Sequence, residues 1–479
     1  MTNRVLPCIV LLAGCARAST VATQTTTRTL DRSIAPEPGP LRAYRAAPVV
    51  QHVLSNGLRV WIVERASTPL VEVRLVVDAG ATRESAAQAG LASLTAALLT
   101  EGTTHRSGVE LADQLSLLGA ELQAAGTSDG ALLMLSALAR NVEDALVIFG
   151  DVLQNPALSD SAFERVRQRR LAALQAAAAQ APVLADQAFG ALIYGTEHPY
   201  GRPPLRTATA QRALRNADVV SFYRAFYHPD NALLIVVGAV RTATLLPMLE
   251  RTLQSWRPAG VRPNSVPSPA ARRSDTTVYL VNRPASVQSE LRVGYPAIAR
   301  GDSAFAALTV ANTVLGDYGR IWRTLRERRG YAYAPGSLLD ARRFAGAWRA
   351  YAAVQTDATA QALSELLREV RELNSTHPVT NEELEAARGR ILRNEPFAAE
   401  TNAQVANRLQ SLALQGLEAS AYDAFLQQLR RLTISELSSA IERVAAPPTI
   451  VVVGDRSRIE APLRALGLRV QIVAAESPQ

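Results

Sequence analysis

The sequence predicts an α+β protein of two homologous domains, each an antiparallel sheet with helices packed on one face. Three observations predict it. The first is an internal duplication. Val60-Trp61-Ile62-Val63-Glu64-Arg65 matches Val278-Tyr279-Leu280-Val281-Asn282-Arg283 in pattern, and Val71-Glu72-Val73-Arg74-Leu75 matches Ser289-Glu290-Leu291-Arg292-Val293, both at an offset of 218. Ile235-Val236-Val237-Gly238 recurs as Val451-Val452-Val453-Gly454 at an offset of 216. A period this long is a domain copied whole, not a solenoid. The second observation is that strand-period and helix-period stretches alternate within each copy. The third is that the strands come as neighbouring hairpins with the long helices set apart, which favours an antiparallel sheet covered on one side.

Taken in order, the folded body opens on a hairpin signal, Ser55-Asn56-Gly57, between apolar runs. Val71, Val73, Leu75 and Val77 alternate at strand period, predicting one buried face. Leu91, Leu94, Leu98 and Leu99 recur at helical spacing and predict one apolar stripe. The Ala-rich stretch from Phe163 to Gln180 predicts a helix with Asp160 as its N-cap. In the second copy Thr380-Asn381-Glu382-Glu383 reads as a capping box. Arg257 to Asp275, with four Pro among small and polar residues, is the connection between copies. The predicted domains are therefore 49–257 and 276–472, with a linker at 258–275 and a tail at 473–479.

Composition bounds the function. The 479 residues carry 51 basic and 43 acidic side chains, a net charge of +8, and every basic residue is Arg. The Arg are spread along the chain with no block of five like charges, so no nucleic-acid footprint is written there. At 48% apolar the chain has ample core material, which excludes global disorder and a fibrous repeat. Cys8 and Cys15 both lie in the first fifteen residues, so the body can hold neither a disulfide nor a Cys-ligated zinc.

That opening segment has Arg4, an apolar run from Val5 to Leu12, and then Leu12-Ala13-Gly14-Cys15. It reads as a secretory signal over 1–14, too short to span a bilayer. Leu-Ala-Gly-Cys is similar to the bacterial lipobox, in which the Cys becomes the lipidated first residue. A chance Cys in an ordinary signal peptide is the alternative. On the lipobox reading Cys15 is acylated and the protein is extracytoplasmic, anchored to a bacterial membrane. Ala16 after the Cys resembles sorting to the periplasmic face of the outer membrane. Residues 15–48, rich in Thr, Ala, Arg and Pro, would then be a flexible tether with a reach of roughly 30 Å.

Several landmarks resemble the pitrilysin/insulinase zinc metallopeptidase family, and they fall in that family's order over roughly residues 50 to 460. They are Leu54-Ser55-Asn56-Gly57-Leu58-Arg59-Val60, Asp78-Ala79-Gly80-Ala81-Thr82-Arg83-Glu84, Gly90-Leu91-Ala92 and Glu101-Gly102-Thr103. Tyr227-His228-Pro229-Asp230-Asn231 and Leu325-Arg326-Glu327-Arg328-Arg329-Gly330-Tyr331-Ala332-Tyr333 follow. The resemblance implies an inverted motif, H-x-x-E-H, on the helix after Gly-Leu-Ala, and a carboxylate ligand on a later helix. Two imidazoles at i and i+4 would grip zinc and the Glu would activate its water. Here the His positions are Ser93 and Ala97, the base position is Ala96, and the third ligand falls at Ala173. None is a zinc donor of quality. The five His (His52, His105, His198, His228 and His377) are all more than ten residues apart and offer no substitute motif.

The resemblance also implies a substrate-facing Arg and Tyr in the second copy, and these are Arg326 and Tyr333, with Glu327 and Gly330 in step. One reading makes them hydrogen-bond donors to a substrate carbonyl or oxyanion. The other makes Arg326, Arg328, Arg329 and Gly330 an ordinary helix terminus. The family's glycine-rich loop is reduced to Leu315-Gly316-Asp317-Tyr318-Gly319, and its substrate-edge pattern survives only loosely in Gln123-Ala124-Ala125-Gly126. Together these imply a non-catalytic, substrate-binding subunit. It would bind no cofactor itself and would pair with a homologous zinc-bearing peptidase chain in acting on peptides. A structural or peptide-binding pseudopeptidase scaffold in an envelope complex is the alternative.

Overall fold

In this computed structural model the described residues are 39, 44–202, 204–260, 266, 275–316, 318–373 and 375–473, without the side chains of 204–207. The predicted signal peptide, Cys15, most of the tether, most of the linker and the tail beyond 473 lie outside them.

Each half folds its strands into a six-stranded sheet. The first uses β1 (Val50–Val53), β2 (Arg59–Glu64), β3 (Leu70–Val77), β4 (Glu121–Gly126), β5 (Ala131–Leu138) and β6 (Ala232–Gly238) in the spatial order β1-β2-β6-β3-β5-β4. The second uses β7 (Thr277–Asn282), β8 (Gln288–Ala297), β9 (Gly336–Ala341), β10 (Gly346–Gln355), β11 (Thr449–Gly454) and β12 (Arg469–Val473) in the order β12-β7-β11-β8-β10-β9. Five strands correspond one to one, as the duplication requires. The sixth slot is filled from opposite ends of the copies, by β1 antiparallel to β2 and by β12 parallel to β7.

The sheets are mixed, which corrects the purely antiparallel expectation. β6 inserts between β2 and β3, pairing parallel with β2 and antiparallel with β3. A strand placed between two that run in opposite directions must be parallel to one of them. β11 does the same between β7 and β8. The hairpin at Asn56-Gly57 forms as expected: Gly57 takes φ +87°, and the Asn56 side chain ties the turn to Leu253 O and Trp256 O.

The helices α1 (Leu91–Leu98), α2 (Val142–Gln154), α3 (Asp160–Ala178) and α4 (Ala181–Tyr194) belong to the first half, and α5 (Phe305–Leu315), α6 (Thr359–Glu372) and α7 (Asn402–Leu414) to the second. The N-cap of α3 is Ser159, not Asp160: Ser159 Oγ accepts from Ala162 N, and Asp160 becomes the first helical residue. The capping box at Thr380 forms with Glu383 as read.

On one face of the first sheet, Val60, Ile62, Val73, Leu75 and Val236 pack on Leu91, Leu94 and Leu98 of α1 and Phe149 of α2. That is the single covered face predicted. The opposite face is covered as well. Trp61, Val63, Ile235 and Val237 point into a core with Ala406, Leu409 and Leu412 of α7, a helix of the second half. The exchange is reciprocal: Phe189, Ile193 and Tyr194 of α4 cover Tyr279, Val281, Val451 and Val453 of the second sheet. β3 is consequently buried along all but its first residue. The duplicated Glu-x-Arg pattern lies within these sheets as equivalent buried ion pairs, Glu72–Arg74 at 2.6 Å and Glu290–Arg292 at 3.0 Å. Arg292 also donates through Nε to Asp186 of α4 at 2.6 Å, so one copy of the pair helps bind the halves.

This exchange predicts a single cooperative unfolding transition for both halves. Phe189→Ala, at a position 1% exposed, should cost about 3–5 kcal/mol and lower that one transition. Calorimetry showing two resolved transitions in the unmodified protein would contradict the account.

Candidate functional site

Three of the four expected positions lie on α1, Ser93 in its first turn and Ala96 and Ala97 in its last. Ser93 and Ala97, four apart, share its half-buried face, while Ala96 is fully buried in the core. Ala173 lies on α3, exposed, one turn beyond Arg170. What reaches Ser93 from α3 is a guanidinium: Arg170 Nη2 donates to Ser93 Oγ at 2.5 Å, and that hydroxyl donates on to Gly90 O at 3.0 Å. The arrangement does not fit zinc. The alanines have no donor atoms, and the one hydroxyl already accepts from a cation, which would repel a second. Among the described residues no cluster of three His, Cys, Asp or Glu could hold a metal ion.

Glu84 organises the entry to α1. Its carboxylate accepts from Gly90 N at 2.7 Å and Ala92 N at 2.9 Å, and Arg202 lies 3.6 Å away. The carboxylate thereby satisfies free N–H groups at the start of the helix. Burial nevertheless dominates and pushes the Glu84 carboxyl up to about 7, against the lowering effect of the amides and Arg202.

Beside α1 runs the free edge of the first sheet. β4, which carries Gln123-Ala124-Ala125-Gly126, is a terminal strand and among the described residues pairs only with β5. Gly126 abuts the helix: a Cβ there would lie 2.4 Å from Ser93 Cα, so no larger residue fits. The loose substrate-edge pattern therefore sits on an edge strand in contact with the expected metal position.

In the second half, Arg326 lies on a π-helical turn, Arg323–Arg328, where Arg329 N bonds Thr324 O at 3.1 Å. Such turns are rare and concentrate at functional positions. Gly330, at φ +66°, ends the turn and donates to Arg326 O, so the terminus read from the sequence is also real. Arg326 and Tyr333 are brought together: Arg326 Nη1 donates to Tyr333 O at 2.8 Å, and its guanidinium lies 4.6 Å from the Tyr333 ring and 4.3 Å from that of Trp322. Trp322 contacts Tyr318 in turn, with ring centroids 4.7 Å apart. Tyr333 is 81% exposed and Tyr318 70% exposed. Sequence reading missed Tyr318 and Trp322, whose only signal was their spacing of four.

The histidines have local duties. His105 and His377 bond carboxylates of Asp151 and Glu372, and His228 bonds Ala225 O. His198 is packed between Tyr194 and Tyr200, and burial, helped by Arg202 and Arg342, lowers it to about 4. His52 lies on β1, exposed.

The Glu84 shift has a definite sign. Its folded-state value, about 7 against 4.5 for a free Glu, means that the folded protein holds this proton more tightly. The associated stability is complete below pH 4.5 and is lost as pH rises through 7, on the order of 3 kcal/mol. Glu84→Gln should flatten the fall in urea-unfolding free energy between about pH 5 and pH 8. An unchanged pH profile in the variant would place the titration elsewhere.

Residues 59–196 match the family described as Insulinase (Peptidase family M16), and residues 213–391 match that described as Peptidase M16 inactive domain. A Mycobacterium tuberculosis (strain ATCC 25618 / H37Rv) protein described as an uncharacterized zinc protease is 26% identical over 393 residues, covering 81% of this chain and 88% of its own. The mouse (Mus musculus) cytochrome b-c1 complex subunit 1 is 25% identical over 286 residues, 58% of this chain and 57% of its own. A crystal structure of the peptidase M16 inactive domain from Pseudomonas fluorescens superposes with a TM-score of 0.77 at 22% identity, covering 85% of this chain and 98% of that one. With both halves of the duplicated fold matched, the chain belongs to the insulinase (M16) peptidase family, and its described residues hold no cluster of His, Cys, Asp or Glu that could bind a metal ion.

Proposed function

We propose that the protein is the substrate-binding, non-catalytic subunit of a two-chain zinc peptidase, completing the chamber of a partner that carries H-x-x-E-H. The observation that carries this reading is the pairing of half-buried Arg326 with exposed Tyr333, held by a backbone hydrogen bond and by stacking at a π-helical turn. A scaffold has no use for a guanidinium with most of its donors unspent beside an exposed phenol. Extended peptide would pair with a free sheet edge, and zinc would reside in the partner. The similarity to the mouse cytochrome b-c1 complex subunit 1 favours the second reading, a structural or peptide-binding scaffold that needs no Arg–Tyr pair.

The reading includes a location. Among the described residues no helix is long and apolar enough to cross a membrane. We assign membrane attachment to acylation of Cys15, with the body in an extracytoplasmic space on the 15–48 tether. Each buried acyl methylene contributes about 0.8 kcal/mol, and several chains together make the attachment stable.

Two experiments test these assignments. In a reconstituted complex with a zinc-bearing partner, Arg326→Ala or Tyr333→Phe should lower turnover by roughly 10²–10³, with assembly and the partner's zinc content unchanged. Full turnover with both substitutions would favour the scaffold. Separately, metabolic labelling with a fatty acid should mark the wild type and not Cys15→Ser. A mature N-terminus well downstream of Cys15 would rule out the anchor.

A further inference from the structure

Helix α3 carries Arg165, Arg167, Arg169 and Arg170 within two turns, and their partners differ. Arg165 and Arg169 both pair with Glu101, at 2.7 and 2.8 Å, and Arg167 pairs with Glu164 at 2.6 Å. Arg170 is half-buried, points at Ser93, and forms no carboxylate ion pair among the described residues. Its Nε is buried without an acceptor. Glu84 is near enough to act on it through space, but the Glu84 oxygens are committed to two backbone amides and Arg202. The neighbouring Gln211 is fully buried with its Oε1 unpartnered, its amide nitrogen being spent on Gly90 O. An under-partnered cation withdrawn from water is costly to maintain. Arg165, Arg167 and Arg169 on the same helix each pair with a carboxylate, while the one facing the expected metal position does not.

The setting gives that cation a use. Ser93 lies against Gly126, the last residue of edge strand β4. The end of that edge strand and the guanidinium thus meet at the same residue, Ser93, and the planar fork of Arg170 matches a carboxylate. From this we infer that Arg170, with Ser93, is a carboxylate receptor that takes the place of a metal: it binds a carboxylate of an extended peptide lying on β4, from either the chain terminus or an acidic side chain. This deepens the proposed function and rests on its peptide-binding reading, but it uses a different half of the molecule from Arg326 and Tyr333.

The test measures binding of a fluorescein-labelled Ala/Val/Ser heptapeptide to the full chain by anisotropy. Three forms are compared: the free acid, the C-terminal amide, and an amide with one internal Glu. The free acid should bind about tenfold to a hundredfold more tightly than the plain amide, the range for one charge-assisted contact. Arg170→Gln should abolish that preference, and Arg170→Lys should restore it in part. If only the internal-Glu amide shows the Arg170-dependent gain, the carboxylate receptor stands and its ligand is a side chain. Equal binding of all three forms to the wild type, or a preference surviving in Arg170→Gln, overturns the receptor while leaving the peptide-binding reading intact. If no heptapeptide binds, that reading fails, and N-acetyl-alanine decides the receptor. At millimolar concentration it should raise the melting temperature of the wild type and not of Arg170→Gln, and no such difference overturns the inference.

Discussion

Both faces of each sheet are apolar, and each half covers one face with its own helices while the other is covered by a helix of the opposite half. This constraint shapes everything else in the molecule. The second face of the first sheet takes α7 from the second half, and the second face of the second sheet takes α4 from the first. These two helices follow equivalent positions in the duplicated copies, so the exchange is the consequence of one domain meeting its own copy. The polar groups at the junction follow the same logic. Arg65 donates to Ala399 O and Glu400 O, Asn402 to Leu70 O, and Arg343 reaches Asp78 at 3.1 Å. They satisfy backbone and carboxylate groups that the apolar exchange brings out of water.

The degenerate site shows what can change without disturbing that frame. Ser93 and Ala97 lie on the half-buried side of α1, away from the stripe of Leu91, Leu94 and Leu98 that holds the helix on its sheet. A change of side chain there leaves the core untouched. Ala96 is different: it is fully buried, so its small size now belongs to the packing. The positive charge beside Ser93 comes from Arg170, whose burial is itself the argument for an anionic ligand. In the second half, stacking on both Trp322 and Tyr333 leaves the Arg326 guanidinium only its edge for hydrogen bonding, which restricts what it can grip to acceptors lying in its plane.

Much of the fold was legible because it is written in local chemistry. The hairpin at Asn56-Gly57, the apolar stripe of α1 and the Thr380 capping box each depend on a few adjacent residues and formed as read. The α3 cap was misassigned by one residue because Ser159 and Asp160 are both good cap formers, and only backbone geometry chooses between them. The candidate site was named from the sequence only through the family resemblance; what the structure adds is that Arg326 and Tyr333, seven residues apart, are in contact.

By itself the sequence determined the duplication and the elements of each copy, because residue type and periodicity suffice for these; that Ser93, Ala96, Ala97 and Ala173 stand at metal and base positions is what the family resemblance implies. Tertiary structure alone decided the mixed sheets, since β6 and β11 arrive between strands already running in opposite directions. It alone decided the exchange of α4 and α7, since an apolar face does not name its cover. It also placed Arg170 against Ser93, 77 positions away. Contacts between side chains distant in sequence arise from packing, and no local pattern records them.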